Sequence, residues 1–536
     1  MDVLPVDVVH WFVALSSIVV LLWLLAVRGW KAPAAGPVGM VVGAAAAMLV
    51  FRTPLETLAI SIGAGLWDAF FVLLVVWSAL LLYRVTDAAG ALAALRDGIQ
   101  EFSTNQLFLV LAFGWVFCSF LQGVAGFGVP VAVVAPLLVA LGVRPVTAVA
   151  IALIGHAWAC MFGTLGVAWI ATEQVIAIDD PATTALRAAL LLWIPNLFGG
   201  LAIAWLFGRW DGVRHGWPMI AVISFIHGGG QLAVTSFDPT LSAFLASAVA
   251  MVALYPLSRW GRYATPTEDI DERPAMEDDT SHLTDHPEPP MTFAWSLLPY
   301  AALTASAALV LAVPPVRSAL ESLEVGPHFG ATSTGYGVER DAADTYAPLT
   351  PLTHPALFLL FAAAVTWAVY RRRGWFDEWG RAAEPEPVWS STVRDAAPAS
   401  AAIVTFLVLA QVLDLSGQTE VLALGISAVV PATVYAFFAN SVGVLGAFMT
   451  SSNTSSNVLF ADLQRSVAQS ESLPQATIIA AQSAGGAVGN AIGPANVVLG
   501  TTTAGSSDDE GEVLRHTLPW AAAMTVLVGA ATVALL

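Results

Sequence analysis

Side chains able to hold a small ion are concentrated in one apolar stretch, Ser441 to Leu463, SVGVLGAFMTSSNTSSNVLFADL. Seven Ser, Thr and Asn residues run consecutively from Thr450 to Ser456, and Asn457 follows. Such side chains compete for backbone hydrogen bonds and favour helix poorly. In hydrocarbon, unpaired backbone is tolerated only where protein buries it or it lines a wet cavity. Thr450–Asn457 therefore reads as the tip of a broken helix or hairpin, with Ser452, Asn453, Thr454, Ser455 and Asn457 facing a ligand. A surface loop between two helices is the bland alternative, and the uncharged apolar flanks fit it less well. A second polar set, Gln482, Ser483, Asn490 and Asn496, lies in the Gly-rich segment Ala476–Gly500. These residues can serve a ligand or equally bond between helices. In the first half, Gly126, Gly128 and Pro130 interrupt GVAGFGVPVAVVAPLLVALG and let the backbone approach a ligand closely.

Ionisable residues at membrane depth are functional candidates by default. His156 lies in an apolar span, where it can carry a proton near neutral pH or be a satisfied structural histidine. Asp68, within LWDAFF, can face a water path or mark an interfacial kink. Asp414 and Glu420 flank a short loop and read as solvated, and Asp462 reads as a helix-end charge.

The elements that must position these groups are membrane helices. The 536 residues are 57% hydrophobic and 11% charged, which excludes a soluble globular domain. At about 20 residues per crossing, the apolar segments give about eleven to thirteen membrane segments. Cys118 and Cys160 both lie in apolar surroundings, so no disulfide framework is expected. The formal net charge is −18 and Lys31 is the sole lysine. That acidic, lysine-poor surface suits high salt, so a halophilic source is expected, and it argues against a nucleic-acid partner. The N terminus lacks a basic region and reads as a retained first span. Arg28, Lys31 and the run Arg371-Arg372-Arg373 place that terminus outside a plasma membrane.

The chain divides into a first membrane half, residues 1–257, with a broken segment over 122–170. An acidic solvated linker, 258–290, separates it from a second half, 291–536. That half contains a polar excursion at 314–354 and broken segments at 441–463 and 476–500. Gly123-Val-Ala-Gly126 before Pro130 faintly matches Gly443-Val-Leu-Gly446 before Thr450, and Pro145 and Pro474 open a small-residue segment after each. Paired interrupted segments in two halves point to a secondary transporter's binding site.

Three stretches together resemble the L-lactate permease family, which also covers glycolate carriers: Phe120–Pro145, Gly443–Gln464 and Ala480–Val498, the last trailed by Asp509–Leu518. The family is similar to the wider ion-transporter superfamily. The resemblance implies an all-α polytopic fold of two inverted-repeat halves with re-entrant or broken helices and elevator-type movement. It also implies uptake of a 2-hydroxymonocarboxylate, L-lactate or glycolate, with a proton. Two positions depart from the family pattern. Gln122 stands where a Glu is common, and Gly155-His156-Ala157-Trp158 stands where Asn-Thr-Ala-Pro is common.

A carboxylate in such a site can be met by half-helix N termini, each carrying about +0.5 charge, without a buried arginine. The alternative reading is a Na⁺-coupled carrier of another small anion, acetate or a dicarboxylate, with backbone carbonyls and the SSNTSSN oxygens around the cation. No cofactor is expected beyond a coupling ion, H⁺ or Na⁺. An enzyme is disfavoured because there is no HEXXH or carboxylate cluster, and an ATP pump because there is no GxxxxGK[ST]. Lipid is the surrounding partner, and a dimer is the expected assembly.

Overall fold

The computed structural model describes residues 4–266, 270, 272–277, 287–311, 314–506 and 509–536. Among these, nine helices are long and apolar enough to cross a membrane, and two bent pairs raise the number to eleven. That is the lower edge of the count read from hydropathy. Residues 185–207 and 219–232 belong to one run, Pro181–Thr235, which breaks at Gly208 and Arg209 (φ 51°, ψ −138°).

The same succession occurs once in each half. In the first, a span formed by Gln106–Leu111, Ala112–Phe117 and Cys118–Val124 ends in a break, and Val129–Ala140 runs to a tip at 141–144. Pro145–Ala157 returns to a second break, and Gly163–Val175 leaves it. In the second, Ala432–Thr450, Asn453–Ser470, Gln475–Asn490 and Pro494–Thr503 repeat the order, with the tip at 471–474. Left-handed residues make both tips, Gly142 (φ 86°) and Ser472 (φ 53°). The tips lie on opposite sides of the breaks. Gln106, which starts the span leading into the first break, bonds Arg273 beside the first tip, whereas Ala177 and Asp179, beyond the helix leaving the second, bond Gln475 beside the other.

Glycine brings these helices to backbone contact, a packing mode suited to lipid, where no hydrophobic force drives helices together. A methyl group at Gly443 would sit 2.1 Å from the Gln482 carbonyl oxygen, and one at Gly485 1.9 Å from that of Asn440. In the first half, a methyl group at Gly155 would lie 1.8 Å from the Gly114 carbonyl oxygen. Around this double hairpin stand Leu55–Ala88, Pro355–Arg373 and Val388–Leu415, which pack on one another.

Two polar segments fold onto the helices. Much of the acidic stretch in 258–290 lies outside the described residues, and of the described ones 270 and 272–277 form a strap. Ile270 and Ala275 are buried, the Arg144 N–H donates to the Ala275 carbonyl at 2.8 Å, and the Glu277 N–H donates to that of Gly142 at 2.8 Å. Strap and first tip are thus hydrogen-bonded together. The excursion carries a two-stranded hairpin, Thr332–Ser333 with Glu339–Arg340, and folds back on the span Leu55–Ala88. There the Trp67 indole donates to the Ala347 carbonyl at 3.0 Å.

Backbone contact leaves no room for side chains, so Gly443→Val and Gly485→Val should each destabilise the detergent-solubilised protein by at least about 1–3 kcal/mol. Gly380→Ala, with nothing near its new methyl, should change stability by less than about 0.5 kcal/mol. Thermal unfolding of the three variants checks this, and equal melting temperatures would contradict it.

Candidate functional site

Four helices start again at breaks that converge on one cavity. At the first break Ala125 is extended, and Phe127 (φ 56°) and Gly128 (φ 86°) are left-handed before Pro130 opens the next helix. At the second, Thr164, Leu165 and Gly166 are left-handed in succession. At the third, Ser451 is left-handed and Ser452 caps Asn453–Ser470, its Oγ accepting from the Ser455 N–H at 3.2 Å. At the fourth, Ala491–Gly493 separate Asn490 from Pro494. The Thr450–Asn457 run is therefore not one open tip. Only Ser451 and Ser452 leave the helix, because the Ser452 side chain re-nucleates it at once.

The cavity has a volume of about 40 Å³ and is lined from both halves, by Gln122, Gly128, His156 and Thr164 on one side and Ser452, Asn453, Thr454, Asn490 and Asn496 on the other. One buried water needs roughly 10–15 Å³ by this measure, so the space suits a few heavy atoms. Among the described residues, no Lys, Arg, Asp or Glu lines it. Four helix N termini, two per half, reach the breaks around it, each worth about +0.5 charge, beside the C termini of the helices that end there. The N–H groups of Asn453 and Thr454 take no protein acceptor.

Asparagines hold the second half's breaks together. Asn496 Nδ2 donates to the Ser451 carbonyl at 3.1 Å, the Asn490 carbonyl at 3.2 Å and Asn490 Oδ1 at 2.9 Å. His156 Nε2 lies 3.3 Å from Asn490 Oδ1, a bond that joins the two halves across the cavity. Its Nδ1 is 2.8 Å from the Ala152 carbonyl. Asn453 is 2% exposed, yet neither its Oδ1 nor its Nδ2 has a partner. It lies against Gly486, where a methyl group would come 1.9 Å from its Oδ1.

Most residues singled out from sequence gather here: Gly128, Ser452, Asn453, Thr454, Asn490, Asn496 and His156 line the cavity. Gly126 and Pro130 shape the first break beside it, Gly126 packing on Thr164 and Gln122. Ser455 is spent in the capping turn. Asn457 lies deeper and donates to Thr172 Oγ1 at 3.0 Å, Ser483 Oγ at 3.2 Å and Met161 Sδ at 3.4 Å. Gln482 is not a lining residue. It bonds Gln464 at 2.9 Å and Ser456 Oγ at 3.2 Å, the interhelical use. Asp68 is also elsewhere, accepting from Tyr346 at 3.1 Å and Gln411 at 2.9 Å under the excursion. Asp462 is buried within its helix, not at the end. Trp158 turns away from the cavity, donates to Ser119 Oγ at 2.8 Å and stacks on His227. Sequence reading missed Phe127, Cys160, Gly163, Thr164 and Ser451, and the pair Gly163 and Gly166 was the available signal for that second break.

A model of the L-lactate permease family matches residues 10–536. The chain belongs to that family. It is 27% identical to the L-lactate permease of Salmonella typhimurium over 532 residues, covering 92% of this chain and 90% of that protein. It is 27% identical to the glycolate permease GlcA of Escherichia coli over 557 residues, covering 97% and 94%, and 26% identical to the L-lactate permease of Bacillus subtilis, covering 96% and 94%. The YdaH transporter of Alcanivorax borkumensis aligns over 89% of this chain and 87% of its own with a TM-score of 0.47 and 16% identity. Like its family, this chain is a multi-pass membrane transport protein and not an enzyme.

Bonding separates the two kinds of polar residue. Gln482→Ala removes one acceptor of the Gln464 amide and the donor to buried Ser456, and should destabilise by about 1–3 kcal/mol. Asn453→Ala removes atoms without partners and should cost under about 0.5 kcal/mol. Unfolding in detergent checks the order, and its reversal would return Asn453 to a structural role.

Proposed function

We propose that this protein imports a small 2-hydroxymonocarboxylate, L-lactate or glycolate, together with a proton. The observation that carries this reading is the cavity itself: uncharged, small, and ringed by four helix N termini. A monocarboxylate's single charge matches helix-end dipoles, whereas a fixed arginine at this depth would be costly. The Asn453 and Thr454 N–H groups meet the carboxylate, with the Asn453 amide completing its hydrogen bonds. Asn490 and Asn496 are placed for the 2-hydroxyl. His156, the cavity's one histidine, carries the proton. Lactate and glycolate appear in the names of the family members above, which supports these acids over acetate or a dicarboxylate.

Alternating access follows in this reading from two inverted hairpins moving as one body against Leu55–Ala88 and Val388–Leu415, an elevator-type movement. The breaks close on the anion from both halves, so a shift of the joined hairpins carries cavity and cargo together.

Reconstituted protein should take up labelled L-lactate or glycolate under an imposed proton gradient. No uptake of either acid would remove the reading. Asn453→Ala should lower uptake by about a hundredfold, the loss of two or more hydrogen bonds to a charged group, while the protein stays folded. His156→Ala should flatten the pH dependence of transport, and an unaltered profile would return His156 to a structural role.

A further inference from the structure

Apart from the cavity, charge is gathered where the helix Asn453–Ser470 meets the span Val388–Leu415. Arg465 binds Asp462, three residues earlier on its own helix, through Nη2 at 2.7 Å and Nε at 3.0 Å to Oδ1. The same Nη2 lies 3.6 Å from Asp414 Oδ1 on the span. The Asp462 side chain is 6% exposed and its Oδ2 has no partner, whereas that of Asp414 is 41% exposed. One turn before Asp414, Gln411 holds Asp68, whose Oδ1 also lacks a partner. Arg340 of the excursion lies over the Tyr346 ring at 4.6 Å and acts electrostatically on both Asp68 and Asp414.

Among the described residues, charged groups on other elements packed here are few. Asp179, exposed ahead of Pro181, acts on Arg465. Glu420 on Gln418–Ser427 is exposed, and Glu173 on Gly163–Val175 faces Trp169 and Asp238. Asp414 and Asp462 therefore share Arg465, with Arg340 acting on Asp414 from the excursion. One arginine serves two carboxylates here, and like charges so placed favour a proton on one of them.

We propose that Asp414 and Asp462, bridged by Arg465, form a second proton-binding site that controls movement of the second hairpin. The inference rests on the transport reading above. The ion pair links a helix of the moving body to a span of the surrounding frame. With Asp414 ionised, Arg465 holds the two together. Asp414 meets solvent and accepts the proton. Arg465 then stays with Asp462 on its own helix, and the helix Asn453–Ser470 is released from the span. The helix rise of 1.5 Å per residue places Asp462 roughly 14 Å along the axis from Asn453. The same rigid helix therefore ends at the anion and carries the proton-sensitive pair.

The test uses the full chain with Asp414→Asn, Asp462→Asn and the conservative Asp462→Glu. In liposomes, counterflow of labelled L-lactate without a gradient should survive in the Asn variants within about twofold, while accumulation driven by a pH gradient falls about tenfold or more. Asp462→Glu should restore accumulation. Accumulation at wild-type levels in both Asn variants would overturn the proposal. A readout without substrate accompanies it: infrared difference spectra on acidifying the detergent-solubilised protein should contain a protonated-carboxyl band that both Asn variants lose. A wild-type spectrum without that band would also overturn the proposal. If the wild type moves neither acid in any mode, the transport reading fails, and the infrared result still decides the proton site.

Discussion

The structure is governed by the cost of interrupting a helix inside a bilayer. Each break frees N–H and C=O groups that hydrocarbon cannot satisfy. Four breaks are brought together so that they satisfy one another. Asn496 Nδ2 donates to the carbonyls of both Ser451 and Asn490. Ser451 Oγ in turn accepts from the Ala495 N–H at 2.9 Å. What remains unpaired, the Asn453 amide and the first N–H groups of its helix, faces the cavity.

Close helix contact is the condition for that arrangement. Glycines at 443 and 485 let Ala432–Thr450 and Gln475–Asn490 touch backbone to backbone. This brings the third and fourth breaks within reach of one asparagine. Gly155 does the same against Gly114 in the first half. The small-residue composition of these segments is therefore part of the site's construction, although none of these three glycines lines it.

Much of this was legible in the sequence. Hydropathy gave the membrane class, and the Ser-Asn-Thr run and paired Gly/Pro interruptions marked three of the four breaks. The second break stayed hidden because Thr164 and Leu165 are ordinary residues forced left-handed by tertiary packing. Gln482 and Asn490 could not be told apart either, since a buried amide bonded to Gln464 and one facing a cavity have the same local sequence character. Asp462 and the strap at 270–277 failed for a related reason. Periodicity records that a segment is polar, but not that another element comes to cover it.

The division of positive helix ends between the halves has a further consequence. Two N termini come from residues 129 and 167 and two from 453 and 494. Neither half alone presents more than half of the favourable potential, and each pair weakens steeply within a turn. Hold on the anion is therefore a measure of how well the two halves are seated on each other. Any substitution that loosens their seam, however far from the cavity, would register first as weaker retention of cargo.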